Sequence, residues 1–118
     1  MTLEPTRDVL ERIADRLKAL ADPTRLQILH ALENGERNVT DLLQEVGGSQ
    51  ANVSKHLARM RQAGIVRSRR DGTSAYYRVI DPTAFAVCRT VCDALEMQAE
   101  SERMLLAGDR PKEPDENR

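Results

Sequence analysis

Lys55, Arg59, Arg61, Arg67, Arg69, Arg70 and Arg78 all fall within residues 49–78, a stretch whose only acid is Asp71. The whole chain carries 18 basic and 19 acidic side chains, for a formal net charge of -1, so the remaining residues are net acidic. Positive charge concentrated in this way attracts the phosphate backbone of a nucleic-acid duplex. A merely solvated basic face is the plainer account, and the local architecture argues for more. Gln50, Asn52, Ser54, Lys55 and His56 can donate and accept toward base edges in a major groove. Arg67, Arg69, Arg70 and Arg78 suit phosphates or an adjacent minor groove.

The second set with chemistry is a pair of thiols. Cys88 and Cys92, the two cysteines of the chain, stand four residues apart. On a helix that spacing puts both on one face with β-carbons about 6 Å apart. Thiolates are soft donors that favour arsenite, antimonite, cadmium or mercury over hard ions. Two sulfurs underfill a trigonal or tetrahedral site, so Asp93, Glu96, water or a twofold-related pair must complete it. A disulfide wants β-carbons roughly 3.8 Å apart, so oxidation strains the helix, and that strain is itself a switch. The third reading is that both are small apolar fillers, as buried free cysteines usually are.

The elements that must position these residues are legible from periodicity. Val9, Leu10, Ile13, Leu17 and Leu20 predict a first helix over 5–20, with Pro5 near its start. Asp22-Pro23-Thr24 predicts a cap and a first-turn proline for a second, whose apolar positions are Leu26, Ile28, Leu29 and Leu32, stopped at Asn34-Gly35. Asn38 with Asp41 resembles a capping pair for a short third helix that ends at Gly47-Gly48. Ser49 caps a fourth, striped by Val53, Leu57 and Met60 and ended by Gly64. A short helix, a glycine turn and a basic helix make a helix-turn-helix, whose second member enters the groove. Residues 65–70 and 73–80 alternate as strands about an Asp71-Gly72 turn, a basic wing. Asp81-Pro82 opens a last helix running to about Ala107.

Phe85, Cys88, Cys92, Leu95 and Ala99 recur at steps of three and four, as do Leu10, Ile13, Leu17 and Leu20, the seam of a coiled-coil-like contact. With three aromatic residues in 118 the core is thin, and association of two copies is expected to complete it. The first and last helices are therefore assigned as a homodimer interface, with Leu10, Ile13, Leu17, Phe85, Cys88, Cys92 and Leu95 in it. One domain is expected over 1–107, followed by a disordered polar tail over 108–118. No apolar run is long enough to span a membrane and the N-terminus lacks the order of a secretory signal, so a cytoplasmic protein is expected. No nucleophile with a base partner, phosphate loop or suggestive carboxylate pair is present, so an enzyme is not expected. A winged-helix protein-interaction module is the alternative to a DNA-binding one.

Residues 13–80 closely resemble the ArsR/SmtB family of bacterial winged-helix repressors. The matching stretches are Leu20-Ala21-Asp22-Pro23-Thr24-Arg25-Leu26 with Ile28-Leu29, the segment SQANVSKHL, and AGIVRSRRDGTSAYYRV. The resemblance implies a mainly α winged helix-turn-helix of about five helices and a two-stranded wing. It further implies a homodimer that represses a promoter and releases operator DNA when an effector binds. By the same resemblance Ser49, Gln50, Asn52, Ser54, Lys55 and His56 carry the groove-reading helix, and Arg69, Arg70, Asp71, Gly72 and Thr73 the wing. Metalloid-sensing relatives carry Cys-x-Cys where this chain has Asn38-Val39-Thr40. Zinc and nickel relatives use histidines of the last helix, whereas His30 and His56 both precede the wing. Relatives that sense persulfide pair a cysteine of the second helix with one of the last, and the first of these is missing here, which leaves Cys88 and Cys92 as sensing chemistry, for a thiophilic metalloid, a soft metal, an oxidant or a sulfur species. His30 is expected to pack and His56 to contact DNA.

Overall fold

The computed structural model describes residues 4–108, so the tail expected from 108 onward lies, Gly108 apart, outside the described residues. The elements in order are α1 (Arg7–Leu20), α2 (Pro23–Ala31), β1 (Arg37–Asn38), α3 (Val39–Val46), α4 (Gln50–Gln62), β2 (Val66–Asp71), β3 (Ser74–Val79) and α5 (Thr83–Leu106). They fall into two units, the first ending at Phe85 and the second beginning at Ala86, so α5 crosses the boundary that lies inside the single domain expected over 1–107.

The helix starts are set locally by side chains that satisfy otherwise unpaired first-turn amides. Thr6, Asp22, Asn38 and Ser49 each accept from the backbone N–H three residues on, at Val9, Arg25, Asp41 and Asn52. Asp81 does the same work for α5 through Thr83, taking both its N–H at 3.0 Å and its hydroxyl at 2.5 Å. The break between α3 and α4 needs two consecutive left-handed residues, and Gly47 and Gly48 supply them at φ 82 and 81. Without a Cβ that conformation costs little, which is why the chain reverses here in so few residues.

The first unit is built around Leu20 from α1, Ile28, Leu29 and Leu32 at α2, Leu42 from α3, and Val53, Leu57 and Met60 from α4. Ile65 and Val66 at the start of the hairpin and Ala84 of α5 close it. Leu26, expected on the inner face of α2, is exposed instead. It lies about a third of a turn from the centre of the Ile28, Leu29 and Leu32 stripe that packs inward.

The sheet has three strands in the order β1-β3-β2, all antiparallel. The sequence predicts two. β1 is two residues long, too short to show alternation, and exists because Arg37 and Asn38 pair with Tyr77 and Tyr76 of β3. The hairpin turn is shifted by one residue from the predicted Asp71-Gly72. Asp71 pairs with Ser74, so the loop is Gly72-Thr73. Gly72 takes φ 64 in the first loop position while Thr73 keeps a negative φ, the pattern of a II′ turn.

Candidate nucleic-acid interface

The basic helix α4 is amphipathic by position. Val53, Leu57 and Met60 are fully buried against the helix-turn-helix, which leaves Gln50, Asn52, Ser54 and Lys55 exposed along the opposite side of its first two turns. Ser49, also exposed, fixes the start of that surface by accepting the Asn52 N–H at 3.1 Å. Two amides, a hydroxyl and an ammonium thus project from the N-terminal half of a helix held rigid from beneath, the disposition a groove-reading helix requires. Arg59, further along, turns toward α1. With Arg12, Asp15, Arg16, Gln62 and Ala63 it lines an open cleft of about 520 Å³.

The two histidines exchange their expected places. His56, predicted to face outward, has a side chain only 14% exposed, and its Nδ1 lies 3.2 Å from the Arg25 guanidinium and 3.8 Å from the Asp22 carboxylate. His30, predicted to pack, is exposed beside Glu33 at 3.4 Å. The signal was present, because 53, 56, 57 and 60 form a single helical stripe and 30 falls off the stripe of 28, 29 and 32. Arg25 is the centre of this polar cluster. Besides reaching His56 it donates to the carbonyls of Ala19 at 2.7 Å and Lys18 at 3.1 Å, closing the C-terminal end of α1. The Arg25 backbone N–H, with lesser help from His56 and the guanidinium, holds the Asp22 carboxyl below its ordinary range.

The wing presents its arginines on both faces. Side chains alternate along a strand, so Arg67, Arg69 and Asp71 share one face of β2 with their cross-strand partners Arg78, Tyr76 and Ser74, whereas Arg70 lies on the other opposite Ala75. Arg67, Arg70, Arg78 and Thr73 are exposed. Arg69 departs from the expectation that it is open to phosphate. Its Nε lies 3.0 and 2.9 Å from the two carboxylate oxygens of Glu36, its NH2 lies 2.6 Å from Oε1, and its guanidinium stacks 4.7 Å from the Tyr76 ring centre. The forked guanidinium holds the Glu36 carboxyl below its usual range. Glu36 and Tyr76 are the partners of Arg69 that sequence reasoning missed, and Glu36 lies outside the basic stretch altogether.

The thiols sit on α5 in the second unit. Both are free, Cys88 half-buried and Cys92 exposed. Burial pushes the Cys88 thiol up, which lowers its thiolate fraction at neutral pH. Cys92 Sγ lies 3.8 Å from Glu96 Oε1. Among the described residues no three His, Cys, Asp or Glu side chains converge on a common point, so the pair with Asp93 and Glu96 makes no complete ligand set within one chain. The seam residues are open to solvent: Leu10 and Ile13 at 48%, Leu17 at 45% and Leu95 at 59%, with Phe85 half-buried. Val87 and Val91, exposed two turns and one turn before Leu95, widen the α5 stripe beyond the residues assigned to it. Among the described residues no helix is long and apolar enough to cross a membrane.

Comparison with known proteins agrees with this architecture. Residues 22–68 match the family model described as bacterial regulatory protein, arsR family. The biofilm growth-associated repressor of Xylella fastidiosa is 33% identical over 102 residues, covering 84% of this chain and 90% of that protein. The probable mercury resistance operon repressor of Streptomyces lividans is 45% identical over 65 residues, 55% of this chain. The chain spans about half the length, 52%, of some of the curated relatives it matches. Among solved structures, a homodimeric winged helix-turn-helix DNA-binding domain from Mycobacterium bovis superposes with a TM-score of 0.69 at 33% identity, covering 83% of this chain and 95% of that one. The wing, the capped α4 and the Asp22-Pro23-Thr24-Arg25 corner therefore belong together as the parts of one known design, and the chain is a member of the ArsR family of bacterial regulatory proteins.

Proposed function

We propose that this chain is a sequence-specific DNA-binding transcriptional repressor that acts as a homodimer on operator DNA. The observation that carries the reading is the exposed row Gln50, Asn52, Ser54 and Lys55 on a helix whose other side is fully buried. Those groups read base edges, while Arg67, Arg70 and Arg78 of the wing neutralise phosphate. The homodimer forms through the exposed apolar stripes of α1 and α5, which a solitary chain leaves in water. Family membership supports both statements, and the Mycobacterium bovis neighbour is itself described as homodimeric. The test is selection of a bound duplex from a random-sequence pool, followed by titration of that duplex and of an unrelated one at several salt concentrations. A repressor of this type prefers the selected duplex and loses affinity steeply with salt. A protein-interaction module shows neither.

The effector reading is that a thiophilic agent, a metalloid, soft metal, oxidant or sulfur species, acts at Cys88 and Cys92 and releases the operator. It is supported by two free thiols one helical turn apart on the stripe assigned to the dimer. The name of the Streptomyces relative points to a thiophilic metal. The incomplete ligand set within one chain makes a contribution from the twofold-related pair part of the reading. Without response to such agents, the two cysteines are packing residues of the interface.

A further inference from the structure

Arg69 and Glu36 meet on the arginine-bearing face of the wing. β3 lies between β1 and β2. Glu36 immediately precedes β1 and shares the face of Asn38, whose cross-strand partner is Tyr76. Tyr76 is in turn the partner of Arg69. The Glu36 carboxylate therefore reaches over β3 to take the fork of Arg69, with the Tyr76 ring beneath the guanidinium. On the same face Arg67 and Arg78 stand directly opposite one another. Like charges so placed repel, and an anion laid across them relieves the repulsion. This face thus holds three guanidinium groups, one of which already has a planar oxyanion seated in it.

A half-exposed ion pair contributes little to fold stability. Its effect on a polyanion is larger, because each guanidinium withheld from the backbone removes one phosphate from the set the protein neutralises. We propose that Glu36 is an internal stand-in for phosphate, and that Arg69 is accordingly a positioning residue that fastens β2 to the β1 edge rather than one of the wing's phosphate ligands. Glu36 thereby limits the number of phosphates the domain neutralises, and with it the sequence-independent affinity. The inference rests on the DNA-binding reading above.

The experiment is the slope of log affinity against log salt for a random-sequence duplex, with the intact chain as wild type, Glu36→Gln, and Glu36→Gln with Arg69→Gln. Thermal melting verifies that each variant is folded. Freeing Arg69 by Glu36→Gln steepens the slope by about 0.9, equivalent to an extra loss of about 3.5-fold between 50 and 200 mM salt. The double variant, in which both charges are gone, returns to the wild-type slope, a restoration that a merely structural role would not produce. Arg67→Gln supplies the scale by making the slope shallower by about 0.9. If Glu36→Gln leaves the slope unchanged, Glu36 withholds no charge from phosphate, and if the double variant is shallower than wild type, Arg69 itself reaches phosphate in the complex; either result overturns the proposal. A wild type that binds no duplex overturns the DNA reading instead, an outcome distinct from either.

Discussion

The guanidinium of Arg25 lies 3.2 Å from Nδ1 of His56, although the two residues are 31 positions apart. His56 belongs to the helix assigned to base reading, and Arg25 also binds the last carbonyls of α1. One side chain therefore joins the C-terminal end of α1, the first turn of α2 and the inner face of α4. Carbonyls at a helix end need such partners when water is kept from them, and the same guanidinium lies within hydrogen-bond distance of the His56 ring.

Arg25→Met retains the apolar stem and removes these donors. Hydrogen bonds involving a charged group are worth about 1.5 to 3 kcal/mol, so a loss of that order is expected in urea unfolding, with the denaturant slope unchanged. A variant as stable as wild type shows that the cluster is incidental to the fold.

Acid should unfold the first unit by a defined route. Asp81 is held below the ordinary carboxylate range, first by the Thr83 hydroxyl and then by the Thr83 N–H and Arg16. Asp22 and Glu36 are depressed as well, by the Arg25 N–H and by Arg69. A depressed folded-state value means stabilisation that is complete above the unfolded-state value, about 4, and is lost as pH falls through the folded one. Melting temperature should therefore be flat above about pH 5 and fall steeply below about pH 4. Asp81→Asn should lower the plateau and weaken the acid dependence. An unchanged acid limb in that variant removes Asp81 from the account.

On a selected duplex, Gln50→Ala or Ser54→Ala should reduce discrimination against random DNA. A good bidentate contact to a base is worth about 1 to 3 kcal/mol, which caps the loss at about 5- to 150-fold. Arg70→Gln should instead weaken both duplexes by similar factors, since a phosphate contact carries no sequence information. Equal losses on both duplexes for Gln50 and Ser54 reject α4 as the reader.

Sedimentation at micromolar concentration should show a dimer, and Ile13→Glu or Leu95→Glu should shift it toward monomer without unfolding it. Both positions are exposed in the single chain, so a charge there costs the monomer little and the interface much. A wild-type monomer ends the assignment of both stripes.

Arsenite, a soft metal or a mild oxidant should lower operator affinity of the wild type by about 5- to 150-fold, the usual range of allosteric coupling. The Cys88→Ser, Cys92→Ser double variant should bind DNA as a dimer and give no response. A full response in that variant, or none in wild type, makes the cysteines packing residues.

The features legible in the sequence alone are settled within a few residues, the helix caps and the helix break foremost. Thr6, Asp22, Asn38 and Ser49 each bond an amide three positions on, the Gly47-Gly48 break lies between two helical stripes, and the basic hairpin follows at once. These are properties of a polar side chain beside its own backbone and of spacing along one helix, so they survive without knowledge of the fold. The exposed stripes of α1 and α5 were legible for the same reason. Which charges remain available depends instead on contacts between residues far apart in the chain. Glu36 and Arg69 are 33 positions apart, one just before β1 and the other on β2, and β1 has no existence apart from its pairing with β3. The inward turn of His56 was legible in the Val53, Leu57 and Met60 stripe, but the partners it meets there, Arg25 and Asp22, come from α2 and its cap. Residue type states what a side chain can bind, but competition among partners is settled by proximity in space, and a carboxylate 2.6 Å away at the edge of the sheet has already taken the Arg69 fork.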